Sequence, residues 1–295
     1  MNYQQLIREV PDEAAAFDFC LRHDLLKETI FCPNHENETL HWTIRPNRQF
    51  KWSYRCHRCK NWYSMKKDTF FDHCNLPLDK ALYIMYLWMK GDDQQQICYE
   101  TTISRQTCSN WLSTLRDVCV LQIESELEIA KIGGPNHTVE IDESHLFKRK
   151  YERGRIHSTA QWVIGGIDRE TKETFIVPVR SRSTETLIPI IMSHVEPGTH
   201  IITDGWAAYR SLPSHGFTHS TVNHSRYFVD PQTGAHTNLI ENLWKWLKGG
   251  MPKTGTTQFK LQGHLYEFLW KRKYNKNRDG FDHLINHMAL LFQGR

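Results

Sequence analysis

Hydrophobic and polar positions fall into four patterns along the chain. Over residues 1–30, Leu6, Val10, Ala14 and Phe17 recur at near-helical spacing, which predicts an N-terminal helical segment. Residues 31–75 have few aliphatic positions and are rich in Cys, His, Trp and Arg. Residues 76–130 return to a helical pattern that opens with Pro77 near a first turn. The run Lys131-Ile132-Gly133-Gly134-Pro135-Asn136 is a breaker cluster and predicts a domain boundary.

Beyond that boundary, residues 137–295 follow a different rhythm. Alternation at 138–147 predicts a strand, and a basic loop, 148–155, follows it. Residues 161–170 and 174–182 predict two strands joined as a hairpin by a short polar turn. Ser183 opens a helical pattern to residue 195, and 199–205 predicts another strand. A short helix, a strand at 217–224 and helices near 238–249, 258–272 and 280–292 complete the reading. Strands first paired, then alternating with helix, define a mixed α/β class.

Composition narrows the class further. The chain has 295 residues, 39% hydrophobic and 24% charged, which excludes disordered, collagenous and low-complexity proteins. No stretch approaches the roughly 18 apolar residues of a membrane span. The N-terminal stretch lacks a basic start followed by an apolar run, so an intracellular protein is expected. Its eight cysteines then suggest metal ligands or core thiols rather than disulfides. The net charge of +4 hides alternating blocks: −3 over 1–30, +6 over 31–67, −6 over 68–130 and +7 beyond. The basic blocks point to nucleic acid.

Cys32-Pro33-Asn34-His35 and Cys56-His57-Arg58-Cys59 form two knuckles, C-x2-H and C-x2-C. Four soft ligands suit a closed, structural Zn²⁺ site made by Cys32, His35, Cys56 and Cys59. His57 is the alternative to His35. Residues 94–112 have the rhythm of two short helices around a tight turn, with Ile97, Ile103, Cys108, Trp111 and Leu112 as an inner seam. Ser104 would cap the second helix, leaving Arg105, Gln106 and Ser109 outward for DNA contact. An ordinary helical hairpin fits the same pattern.

Three acids carry the chemistry. Asp142 and Asp204 each stand at or near the end of an apolar strand-like run, and Glu241 lies on an amphipathic helix with Asn238, Lys245 and Lys248 on its polar stripe. Asn238 and Glu241 also fit a capping box. Glu140 and Glu143 read as surface acids at a strand end, and Asp168 as part of the hairpin turn. Carboxylates brought together repel unless divalent cations sit among them; Mg²⁺ (or Mn²⁺) fits, and two such ions clamp the oxygens of a phosphodiester. Basic residues would hold the polyanion: the 148–155 loop, Lys245, Lys248 and the run Lys271-Arg272-Lys273.

These motifs together resemble DDE transposases of the Merlin group and their bacterial insertion-sequence relatives. The likeness rests on the Cys/His ribbon, Asp68-Thr69-Phe70 before Leu76-Pro77-Leu78, the helix-turn-helix-like segment, Val139 to Ser144, Thr203-Asp204-Gly205, and His236-Thr237-Asn238 running through Glu241 to Lys248. The resemblance implies an RNase H-like catalytic domain over 137–295, preceded by a zinc-ribbon-like module at 31–75 and a helix-turn-helix-like region at 76–130. It implies Asp142, Asp204 and Glu241 as metal ligands, binding of double-stranded DNA at terminal inverted repeats and target sites, and work as a homo-oligomer. The expected reaction is phosphodiester hydrolysis at the element's end, then attack of the freed 3′-hydroxyl on target DNA. A nuclease or resolvase on the same scaffold, or a host-adopted DNA-binding factor without catalysis, are the rival readings. A nuclear location is expected in a eukaryotic host, and a cytoplasmic one in a bacterium.

Overall fold

The computed structural model describes residues 1–146, 162–222, 236–252 and 258–293. The basic loop 148–155 and the strand ends expected at 147, 161 and 223–224 lie outside the described residues. The chain divides into two compact units, residues 1–118 with 274–295, and residues 119–273.

In the first unit the N-terminal helical segment consists of two helices, α1 (Tyr3–Glu9) and α2 (Glu13–Arg22). The break follows from local chemistry. Pro11 interrupts the pattern, and Asp12 starts a new helix by accepting the Ala15 amide at 2.9 Å. Ala14 is therefore exposed and Ala16 takes the core position. An antiparallel sheet follows, with strands β1 (Thr29–Cys32), β2 (His35–Ile44), β3 (Trp52–Arg55) and β4 (Trp62–Ser64) in chain order. Aromatic contacts replace the missing aliphatic core. Phe17 of α2 stacks on Trp52 at 4.4 Å and meets Trp42 edge-on at 5.1 Å.

Helix α3 (Leu78–Lys90) ends at Gly91, whose φ of 97° lies in the left-handed region that a helix C-terminus favours glycine for. Helix α4 (Gln94–Thr101) and the long α5 (Arg105–Ile129) are joined by Thr102-Ile103-Ser104. Ser104 accepts the Thr107 amide at 3.1 Å, and Ile97 and Cys108 are fully buried in the seam. The C-terminal helix Gly280–Gln293 belongs to this unit.

The second unit is built on a five-stranded mixed sheet. After the short β5 (Ile132–Gly133) come β6 (Thr138–His145), β7 (Trp162–Asp168) and β8 (Thr174–Val179), paired antiparallel in sequence. Helix α6 (Thr184–His194), the two-residue β9 (Val195–Glu196), β10 (His200–Asp204) and β11 (Thr218–Val222) follow. β10 lies parallel to β6 and β11 parallel to β10, so the spatial order is β11-β10-β6-β7-β8. One face carries the main core: Val139 and Ile141 of β6 pack with Ile201 of β10, Leu187 and Ile191 of α6, and Tyr209 and Leu212 of the turns after β10. Helix α7 (Asn238–Gly250) packs on β6 and β7 through Ile240, Leu243, Trp244 and Leu247, and α8 (Gln258–Tyr274) follows it. Among the described residues no helix is long and apolar enough to cross a membrane.

Candidate active site

The alternation of β6 sorts its acids by face. Asp142 and Glu140 turn toward α7, whereas Glu143 turns toward the segment after β10. Ile202 of β10 stands beside Glu140 of β6, so extending that parallel register by two residues sets Asp204 level with Asp142. Glu241 lies in the first turn of α7, exposed, with Thr237 Oγ1 donating to its Oε1 at 3.4 Å. Asp142 is close enough to Asp204 and Glu241 for both charges to act on it.

Asp142 is held by α7. Trp244 Nε1 of α7 donates to its Oδ2 at 2.9 Å. Gly165 is its antiparallel partner on β7, and a Cβ there would lie 2.6 Å from the Trp244 ring. The glycine thus clears the path by which the indole reaches the carboxylate. Burial pushes the Asp142 carboxyl up to about 6, and the charges of Asp204 and Glu241 add to the rise while the Trp244 hydrogen bond opposes it. That mutual repulsion is what a divalent cation relieves, and an all-oxygen donor set suits Mg²⁺ or Mn²⁺. The trio is nevertheless open. Its oxygens do not all lie within 4.8 Å of one another, unlike the two tighter groups described below.

Glu140 and Glu143 are not the surface acids that their strand-end position suggests. Glu140 is fully buried. Its Oε2 accepts the Leu239 and Ile240 amides at 2.9 and 3.1 Å, and its Oε1 accepts Arg169 Nε at 2.7 Å. Arg169 also donates to the His236 carbonyl at 2.5 Å. The first amides of α7 thus find their acceptor on a strand, and the capping box expected of Asn238 does not form: Thr237 is the N-cap and makes no side-chain cap bond. A buried carboxylate between an arginine and a helix N-terminus is well compensated. No local signal marks this role, because its partners lie 29 and about 100 residues away.

Glu143 accepts a hydrogen bond from the Tyr209 hydroxyl and lies 3.9 Å from Arg182. Burial pushes its carboxyl up to about 7.

Two groups hold ligand atoms within 4.8 Å of one another among the described residues. The first is Cys32, His35, Cys56 and Cys59. Cys32 Sγ lies 3.4 Å from His35 Nδ1 and 3.9 Å from Cys59 Sγ, and Cys56 Sγ lies 3.8 Å from His35 Nδ1. A tetrahedron with metal–sulfur bonds of about 2.3 Å has edges of about 3.8 Å, so the donor set fits a metal such as zinc. His35 faces the thiols and His57 is exposed outside the group. The second group, His137, Asp168 and Glu170, locks the hairpin turn. Asp168 accepts the Glu170 and Thr171 amides and pairs with His137 at 2.8 Å, in keeping with a turn role.

The proposed DNA contacts divide. Arg105 and Gln106 are exposed at the start of α5, and Lys245 and Lys248 are exposed on α7. The run 271–273 is not an open basic stripe: Lys271 pairs with Glu267 at 2.8 Å, Lys273 with Glu126 at 2.8 Å, and Arg272 is half-buried. In the four-stranded sheet of the first unit, Arg45 and Arg55 lie over Trp62 at 4.8 and 5.1 Å, beside a groove of about 480 Å³.

The sheet thus carries two acids on neighbouring parallel strands, with a third on the helix packed against the sheet. Residues 132–273 match the family of ISXO2-like transposase domains. The matched stretch is just under half of the chain, and the likeness is to DDE transposases of the insertion-sequence type. Solved structures with remote likeness include the HTLV-2 integrase catalytic core domain in complex with magnesium. That one shares 18% identity over 48% of this chain and 88% of its own, with a TM-score of 0.31. The simian T-cell lymphotropic virus intasome in complex with PP2A regulatory subunit B56 gamma shares 14% identity over 65% of this chain and 68% of its own, with a TM-score of 0.30. No curated protein matches the chain.

Proposed function

We propose that the chain is a metal-dependent transposase with an RNase H-like catalytic domain, which cuts DNA at the ends of a mobile element and joins the freed end to target DNA. The observation that supports this reading is that the charges of Asp204 and Glu241 act on the buried Asp142, all three inside the region of the family match. The three carboxylates hold Mg²⁺ or Mn²⁺, and bound divalent ions supply charge neutralisation and polarisation of phosphate oxygens. Trp244 keeps Asp142 oriented and ionised through its indole N–H. Glu140 fixes the start of α7 and with it the approach of Glu241. Lys245 and Lys248 lie on the same helix and attract the DNA backbone.

The ribbon carries a structural Zn²⁺ on Cys32, His35, Cys56 and Cys59, and its arginine–tryptophan face contacts duplex DNA with help from Arg105 and Gln106. Action on paired ends calls for more than one copy of the chain.

The test is a cleavage and joining assay with Mg²⁺ on duplexes bearing the inverted repeats that flank the reading frame. Asp142→Asn and Glu241→Gln should abolish cutting in folded protein. Unchanged cutting by either variant would remove the site. Joined products separate a transposase from a nuclease, which leaves free ends only.

A further inference from the structure

The segment after Asp204 holds an aromatic ring in an unusual way. Trp206 is fastened at three points. Its backbone amide donates to Asp204 Oδ1 at 3.0 Å, its indole N–H donates to the Arg182 carbonyl at 3.1 Å, and the Arg182 guanidinium lies 4.7 Å from its ring centre. The Arg182 guanidinium also lies 4.1 Å from the Trp162 ring centre. Three residues on, Tyr209 is fully buried and donates to Glu143, which anchors the turn to β6. Yet Trp206 remains 43% exposed.

A single exposed tryptophan is ordinary on a protein surface. A restrained one is not explained by burial alone, because a large share of the ring's surface stays in water while the side chain is still ordered. Its polar N–H is already satisfied, so what the ring offers to a ligand is an apolar face. Its position limits the ligand, because it stands two residues from Asp204 and its amide is bonded to that carboxylate.

Resting on the carboxylate site proposed above, we infer that Trp206 is a stacking platform for a nucleobase next to the scissile phosphate. Arg182 holds the ring from behind and adds positive charge beside the backbone. A base stacked on an indole needs no hydrogen-bond readout, so the platform accepts any base and positions the strand rather than reading its sequence. The contact requires that base to leave its own stack, which is easiest next to a strand end or a distorted step.

The test couples a side-chain deletion to a base deletion. Cleavage with Mg²⁺ is measured for the parent, Trp206→Phe and Trp206→Ala on duplexes bearing the flanking repeats, intact or with a single abasic residue at each position around the cut. Removing one stacked base is expected to slow the parent by about 5- to 150-fold at one position. Trp206→Ala should slow cutting of the intact duplex by a similar factor and become indifferent to base removal at that same position, whereas Trp206→Phe keeps most of the rate and the position dependence. Mn²⁺ binding and thermal melting of Trp206→Ala report whether its fold is kept. Penalties that multiply at every position, or an alanine variant that cuts like the parent, would overturn the platform and leave the carboxylate site standing. A folded parent that neither binds nor cuts these duplexes would overturn both.

Discussion

Trp244 donates its indole N–H to Asp142 across the gap between α7 and β6, at 2.9 Å. The bond ties a helix face to a strand acid, and it exists because residue 165 on the neighbouring strand has no side chain. Gly165→Ala should push the indole away, with an overpacking cost of about 1–3 kcal/mol. Trp244→Phe keeps the apolar contact and loses the hydrogen bond, which opposes the rise in the Asp142 pKa. Both variants should melt lower than the parent. Trp244→Phe should also shift the acid limb of the cutting rate to higher pH, which a pH–rate profile with Mg²⁺ checks.

Glu140→Gln removes the charge that compensates Arg169 and the first amides of α7. Breaking such a buried pair typically costs about 3–5 kcal/mol. Urea unfolding should report a loss of that order, and cutting should fall in the protein that remains folded. Glu140→Asp, which keeps the charge on a shorter stem, should recover part of both. A neutral Glu140→Gln variant would mean that α7 docks without this clamp.

The ribbon gives a composition test. Zinc analysis of purified protein should find one ion per chain, since four protein ligands close the site. His35→Ala should lose the metal and destabilise the unit containing 1–118, whereas His57→Ala should keep both. The reverse pattern would assign the fourth ligand to His57.

Two histidines give a pH dependence. His200 and His219 sit on the β10–β11 pair, and burial lowers the pKa of each, with Arg169 and His200 respectively adding to the shift. Their neutral rings bond Ser220 and Thr203, both at 2.9 Å. Because the folded pKa lies below the ordinary value near 6.5, the unfolded chain takes up protons first as pH falls. Their contribution to stability is therefore present above about pH 6.5 and is lost as pH drops toward the folded values. Thermal melting between pH 7.5 and 5 should show this fall, and His200→Gln with His219→Gln should flatten it.

Much of the second unit was legible because its signals are local. The alternation of β6, the hairpin turn at Asp168 and the amphipathic α7 need only neighbouring residues. The three acids stood out because each closes or opposes an apolar run. Glu140 and Glu143 did not stand out, because a buried acid looks like a surface one until its distant partners are known. The roles of Arg169 and Gly165 were hidden for the same reason. The helical character of 1–30 is legible in its apolar spacing, and the break between its two helices follows from Pro11 and the Asp12 cap. The ion pairs of Lys271 and Lys273 were not legible, because charge counts do not say which lysines already face glutamates.

The decisive measurement is Mn²⁺ binding to the purified chain, followed by electron paramagnetic resonance with zinc already in place. Parent protein should bind Mn²⁺ and release it to competing Mg²⁺, and Asp142→Asn with Asp204→Asn should lose that binding while melting as a folded protein. Binding that survives in the double variant, or a folded parent that takes up no Mn²⁺, would contradict a metal-holding carboxylate site.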